Sequence, residues 1–178
     1  MNKFPALALV LLALPLAGCG FHPLYAIPGA ARGNMNQTLS AIYVEPVPDR
    51  LGYQLRNTMI DLLDGRAEAA GASYRLRLSL AEKSDAIGVQ SQTAPGGITQ
   101  TAITRYNDTL TVTYELTDLK TNTVVTNGTE NSLSSYNVLS SPYATLAVRQ
   151  DADRRAADDI ADRIRIDLAV FFAQGAKK

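Results

Sequence analysis

The chain of 178 residues carries one cysteine and one histidine, Cys19 and His22, so any thiol or imidazole chemistry must begin there. Cys19 closes a leader. Lys3 supplies a short positive start, and Phe4 to Leu16 is apolar apart from Pro5 and Pro15. As a helix this run spans about 20 Å, too short for a hydrocarbon core of about 30 Å. It reads as the apolar region of a secretory signal peptide over residues 1–18. Its end, Leu16-Ala17-Gly18-Cys19, resembles the bacterial lipobox, in which small residues admit the peptidase ahead of a cysteine that is lipidated. Cys19 is therefore the expected lipidation site. One acyl chain binds a membrane marginally and each buried methylene adds about 0.8 kcal/mol, so the two or three chains expected on Cys19 anchor permanently. Gly20 follows it, where an Asp would favour inner-membrane retention in bacteria that sort by this residue. The expected location is the periplasmic face of the outer membrane.

Other reactive constellations are not evident. With one cysteine there is no disulfide framework, and one histidine without a free thiolate leaves no usual zinc set. His22 lies in a segment rich in Pro and Gly, a poor support for a general base. The sequence has no phosphate-binding glycine motif, no HExxH and no GxSxG. Asp158, Asp159 and Asp162 cluster near the C-terminus, but Arg154, Arg155, Arg163 and Arg165 interleave with them, which reads as a solvated helix face. No cofactor and no metal are expected, and a binding or assembly role is favoured over an enzyme. The charge is balanced, 17 basic against 17 acidic side chains, and no basic face suggests nucleic acid.

The elements that must carry any surface follow from periodicity. Residues 19–38, with Pro23, Pro28, Gly29 and Gly33, read as a lipidated tether. Residues 39–178 are long enough for one domain with its own core. Leu39 to Val44 reads as a strand stopped at Pro46. A helix follows with Asp49 as N-cap and Leu51, Leu55, Met59, Leu62 and Leu63 on one face, ending by Gly71, with Gly65 weakening its last turns. Tyr74, Leu76, Leu78 and Leu80 alternate with polar residues, and Ile87 and Val89 extend that strand toward a loop at Pro95-Gly96-Gly97. Tyr106 to Leu116 alternates in the same way. Thr117 to Asn122 makes a turn, and Val124 starts a further strand that Asn127-Gly128 interrupts as a bulge or a second turn. Ser141 and Pro142 suit the start of a last helix, with Asp151–Arg155 and Asp159–Arg163 as i, i+4 pairs. Its apolar stripe runs from Ala157 through Ile160, Ala161, Ile164, Leu168, Phe171 and Phe172, and is poor before residue 157.

The order β-α-β-β-β-α, with one apolar face per element, predicts an α+β two-layer sandwich: two helices on one face of a four-stranded mixed sheet. From Thr99 to Asn131 the outward positions carry Thr and Asn rather than Lys and Glu. That is either plain β-propensity or a surface made to contact another protein's polar interior.

Several segments together resemble one family. They are Leu16-Ala17-Gly18-Cys19-Gly20-Phe21-His22-Pro23-Leu24-Tyr25, Tyr114-Glu115-Leu116-Thr117-Asp118-Leu119-Lys120, Ser135-Tyr136-Asn137 running into Ser141-Pro142-Tyr143-Ala144, and Arg149-Gln150-Asp151-Ala152 ahead of a helix ending in Phe171-Phe172. They are similar to the LptE lipoproteins of lipopolysaccharide assembly, in their alphaproteobacterial branch. One departure is Pro23-Leu24-Tyr25, where better-known members have Leu-Arg-Gly, so the tether is not carried over in detail. The resemblance implies a non-enzymatic outer-membrane lipoprotein that plugs an LptD-type β-barrel, assists its assembly and takes part in lipopolysaccharide delivery. A wide barrel has a polar lumen, which the uncharged Thr/Asn faces would suit. Direct lipopolysaccharide contact would need cations at strand ends or turns, and Lys83, Arg105 and Lys120 are the candidates. The rival readings are an accessory lipoprotein of another envelope lipid transporter or of barrel assembly, and a periplasmic enzyme with an unrecognised site.

Overall fold

The computed structural model describes residues 35–65, 68–93, 95–97 and 99–175. The signal segment, Cys19, His22 and the tether as far as residue 34 lie outside the described residues.

Four strands form one sheet in the order β1 (Ile42–Val44), β2 (Tyr74–Thr93), β3 (Thr99–Asp118) and β4 (Thr123–Asn137). β1 runs parallel to β2, and β2–β3 and β3–β4 are antiparallel. Helix α1 (Arg50–Leu63) connects β1 to β2, and α2 (Pro142–Gly175) closes the chain. The order β-α-β-β-β-α and the mixed sheet are those the sequence predicts.

One parity of the strands builds the core. Ile42, Val44, Leu76, Leu78, Leu110, Val112, Tyr114 and Leu116 pack with Leu55, Met59 and Leu63 of α1 and Ala157, Ile160, Ala161, Ile164 and Leu168 of α2. Each strand alternates its side chains between faces, so residues of one parity form one apolar layer, and both helices cover it.

Local differences from the sequence reading have physical causes. Residues 35–39 form a helical turn, and β1 is confined to three residues. The turn still contributes to the core through buried Leu39 and the partly buried Met35. Helix α1 stops at Leu63, well before Gly71. Asp64 adopts a left-handed conformation and the N–H of Gly65 reaches the carbonyl of Ile60 at 2.9 Å, a C-terminal cap that satisfies an otherwise free carbonyl. Asp49 occupies the N-cap position of α1 with φ 68° and makes no side-chain cap. Ser141 does cap α2 weakly, its Oγ accepting from the N–H of Ala144 at 3.5 Å. β4 runs unbroken through Asn127-Gly128, and its register slips once, between Leu116 and Thr117 of β3. Gly128 lies opposite Tyr114, where a Cβ would sit 2.6 Å from the Tyr114 hydroxyl. Glycine is there to let the ring lie across the strand.

Beyond the helices the sheet narrows to a two-stranded arm. The pairing of β2 with β3 continues from Glu82–Leu110 to Thr93–Thr99. The arm turns through Gly96 and Gly97, both at positive φ, the conformation glycine adopts without steric cost. β4 accompanies it only as far as Asn137, opposite Arg105.

Candidate functional site

The arm and the sheet face away from the helices carry mostly hydroxyls and amides, with exposed Leu133 and the charged Lys83 and Glu115 among them. On that face Ser79, Ala81, Thr109, Thr111 and Thr113 lie in register with Thr129 and Asn131, and the hydroxyls of Thr113 and Thr129 pair at 3.2 Å. Further out, Ser91 pairs with Thr101 at 3.4 Å and Thr93 with Thr99 at 3.2 Å. From Ala86 to Thr104 the sequence contains no charged residue. Ile87, Val89 and Ile103 are exposed there, Val89 by 58%.

At the base of the arm lies a charge network that sequence spacing does not reveal, because its members come from four elements. The carboxylate oxygens of Glu82 (β2), Asp108 (β3) and Asp153 (α2) all lie within 4.8 Å of one another. Arg149 of α2 bridges Glu82 at 2.6 Å and Asp108 Oδ2 at 3.6 Å, and Arg50 of α1 bridges Asp153 at 3.0 Å. Ser84 donates to the other oxygen of Asp108. Asp108 and Asp153 are buried, and burial, with Glu82 next, lifts the Asp153 carboxyl above its ordinary value, while Arg149 and Arg50 pull it down. Buried like charges need such counter-ions to remain ionised. Chemically the cluster is a clamp that ties both helices to the root of the arm. Tyr136, stacked on Tyr106 at 5.6 Å, covers it, and burial followed by the charge of Asp108 raises its hydroxyl pKa.

The three cations picked from the sequence are not brought together. Lys83 lies mid-strand in β2, rather than at a strand end, and pairs with Asp85 at 2.8 Å. Arg105 lies in β3 opposite the last residue of β4 and lines a cleft of about 290 Å³ with Arg155, Asn137, Leu139 and Val148. Lys120 sits in the β3–β4 turn, beside a separate cleft of about 380 Å³ that includes Gln37, Ser73 and Tyr74. Nine residues of strand separate the rows of Lys83 and Asp118, about 30 Å at about 3.3 Å per residue. Arg155, the second cation of the Arg105 cleft, was legible only as a helix ion pair with Asp151, which the structure does contain.

The acidic cluster on α2 is less solvated than its sequence suggests. Asp158 accepts from Thr58 at 3.1 Å, and Asp159 from Ser132 at 2.8 Å, so two of the three tie the helix to α1 and β4. Among the described residues no helix is long and apolar enough to cross a membrane.

Comparison with known proteins bears on what this surface belongs to. A search of the curated proteins gave no match. Among solved structures, a chain from Caulobacter crescentus described as a lipoprotein is 30% identical, with a TM-score of 0.63, over 80% of this chain and 98% of that one. Rare lipoprotein B from Shewanella oneidensis shares the fold at 14% identity and a TM-score of 0.51, over 75% of this chain and 95% of its own. A lipoprotein B from Nitrosomonas europaea does so at 12% identity and the same TM-score, over 76% and 86%. The family described as LptE, lipopolysaccharide-assembly, matches residues 39–168, which hold every strand and most of both helices. The chain therefore belongs to the LptE family of lipopolysaccharide-assembly proteins.

Proposed function

We propose that the protein is a non-enzymatic lipoprotein, anchored through Cys19 to the periplasmic face of the outer membrane, that fills an LptD-type β-barrel. There it assists barrel assembly and lipopolysaccharide delivery to the cell surface. The observation that carries this reading is the hydroxyl and amide patch of Thr109, Thr111, Thr113, Thr129 and Asn131, whose neighbour Lys83 is neutralised by Asp85, continued by the charge-free arm. The lumen of a wide barrel is wet and polar. A filler bearing many Lys and Glu would have to desolvate them against that wall, whereas hydroxyls and amides exchange water for wall groups at little cost. Lipid on Cys19 would hold the domain near the barrel mouth and raise its effective concentration there.

Within this reading, Arg105 is the contact for lipopolysaccharide phosphates, with Arg155, itself paired to Asp151 in the same cleft, beside it and Leu139 and Val148 offering apolar surface. Lys83, engaged with Asp85, and Lys120, at the far end of the sheet, play no part in that contact. Gentle detergent extraction tests the whole. A single large barrel protein should co-purify at one-to-one stoichiometry, and depletion should lower barrel yield and surface lipopolysaccharide together. Recovery of a different lipid transporter or a barrel-assembly complex instead would support the accessory-lipoprotein alternative and overturn the plug.

A further inference from the structure

We infer that the outer edge of β2 is a strand-addition site, and that its occupant is an extended, uncharged segment of the barrel partner. The inference rests on the barrel reading above and adds the mode of contact.

The open edge originates in the sequence. β1 pairs with β2 only at Ile42–Tyr74, Tyr43–Arg75 and Val44–Leu76, after which the N–H of Glu45 still reaches the carbonyl of Leu76 at 2.9 Å. Pro46 and Pro48 follow, and a proline has no N–H to continue a ladder. The chain turns away into α1, and no other described strand takes its place beside β2. Because the carbonyl of Leu76 faces β1, alternation directs the backbone groups of Leu80, Glu82, Ser84 and Ala86 to that same open side, and the residues between them to β3. An unpaired row of N–H and C=O groups is a template for another strand.

Natural sheets guard such edges with lysines, prolines or a covering helix. Here Lys83 is engaged with Asp85, both helices lie on the core face, and beyond Ala86 neither strand of the arm bears a charge until Arg105. The irregularity at Gly88 does not interrupt the pairing on either side. Neutrality selects the occupant: over residues 80–86 Glu82 is bridged to Arg149 and Lys83 to Asp85, and the distal arm carries no charge, so an acidic or basic partner finds no free counter-charge, whereas an extended backbone satisfies every group the edge presents. The edge is also continuous with the Thr/Asn face that we place against the barrel wall, so one partner can cover both.

The test uses the full-length, membrane-extracted protein. Proline at Ser84 and Ala86 removes two edge N–H groups while sparing the β2–β3 ladder, which uses the other parity, and Ser84→Ala is run beside it because the Ser84 hydroxyl also donates to Asp108. The double variant S84P/A86P should recover about tenfold less barrel than wild type, the loss expected for two net hydrogen bonds. The side-chain changes Ser84→Ala and Ala86→Thr should recover as much as wild type. Hydrogen exchange over residues 80–86 of the unmodified protein should slow when the barrel is bound, a measurement that holds even if the proline variant folds poorly. Unchanged exchange with the barrel present would overturn strand addition while leaving the plug intact. A barrel recovered equally well by a folded S84P/A86P variant would do the same. Protection that appears in a self-associated form of twice the mass, without barrel, would replace the partner with a second copy and overturn the inference. Absence of any barrel from wild-type extracts would overturn the plug reading itself.

Discussion

Two ends of one sheet obey different rules. At the end holding Tyr74 and Leu116, each strand has one face sealed by helix, and Leu76, Val112, Leu116, Ile160 and Ile164 are fully buried. At the other end, past the last residue of β4, β2 and β3 continue as a bare ribbon from Val89–Ile103 to Thr93–Thr99, and cross-strand hydrogen bonds and hydroxyl pairs hold it. Buried apolar area holds the first region, and the second offers exposed hydroxyls, amides and backbone groups instead. Between them the clamp of Glu82, Asp108, Arg149, Asp153 and Arg50 marks the border. A two-stranded ribbon is marginal in water by itself, so the arm depends on being rooted in a finished core.

The sharpest way to break this contrast is truncation at matched positions. Ile160→Ala should destabilise the domain by about 2–5 kcal/mol, because a buried side chain leaves a cavity. Val89→Ala, on the arm, should stay within about 0.5 kcal/mol. Urea denaturation of both variants decides it, and equal losses would show that the arm helps hold the fold.

A smaller effect is expected from overpacking within the core. Gly128→Val places a branched side chain where even a Cβ would lie 2.6–2.7 Å from Tyr114 atoms. The ring must move, and its hydrogen bond to Asp167 at 3.0 Å must loosen, at about 1–3 kcal/mol. Thermal melting reads this cost, and an unchanged melting temperature would mean that the ring has room to turn.

The smallest expected effect lies at the border. Asp153 binds its proton more tightly in the folded chain than at its ordinary value of 3.8. Its contribution is therefore fully present at pH below that value and is lost as pH rises through the folded one. Wild type should gain stability relative to Asp153→Asn as pH falls from neutral toward 4. Melting curves of the pair across that interval check the sign, and a loss relative to the variant would show that Arg50 and Arg149 outweigh burial.

The sequence showed the covered region more clearly than the bare one. Alternation from Tyr74 to Leu80 and from Tyr106 to Leu116, with the stripe on α2, identifies the core because those residues are apolar at one period. The arm shows a weaker pattern: with both faces wet, nothing forces alternation, so Ile87 and Val89 mark the course of β2 toward its loop while β3 begins at Thr99, ahead of the Tyr106 where its alternation starts. The clamp was invisible for a different reason. Arg50 and Asp153 are 103 residues apart, and no spacing rule connects them before the helices pack. Arg105 was found by its charge, but its companion Arg155 became part of the same cleft only when α2 crossed the end of β4.

The distance in sequence between α1 and α2 also has a consequence for timing. The contacts of β2 with β3 and β3 with β4 join neighbours along the chain, so the meander can form early, as soon as it has emerged. Its apolar face then waits for the 34-residue helix α2, Pro142–Gly175, which supplies Ile160, Ile164 and Leu168. A chain emerging N-terminus first therefore passes through an interval in which the sheet is paired but only α1 is at hand to cover its core side, a state prone to aggregation. For this protein that interval closes only with its final helix, and any factor that shields it must act before that helix docks.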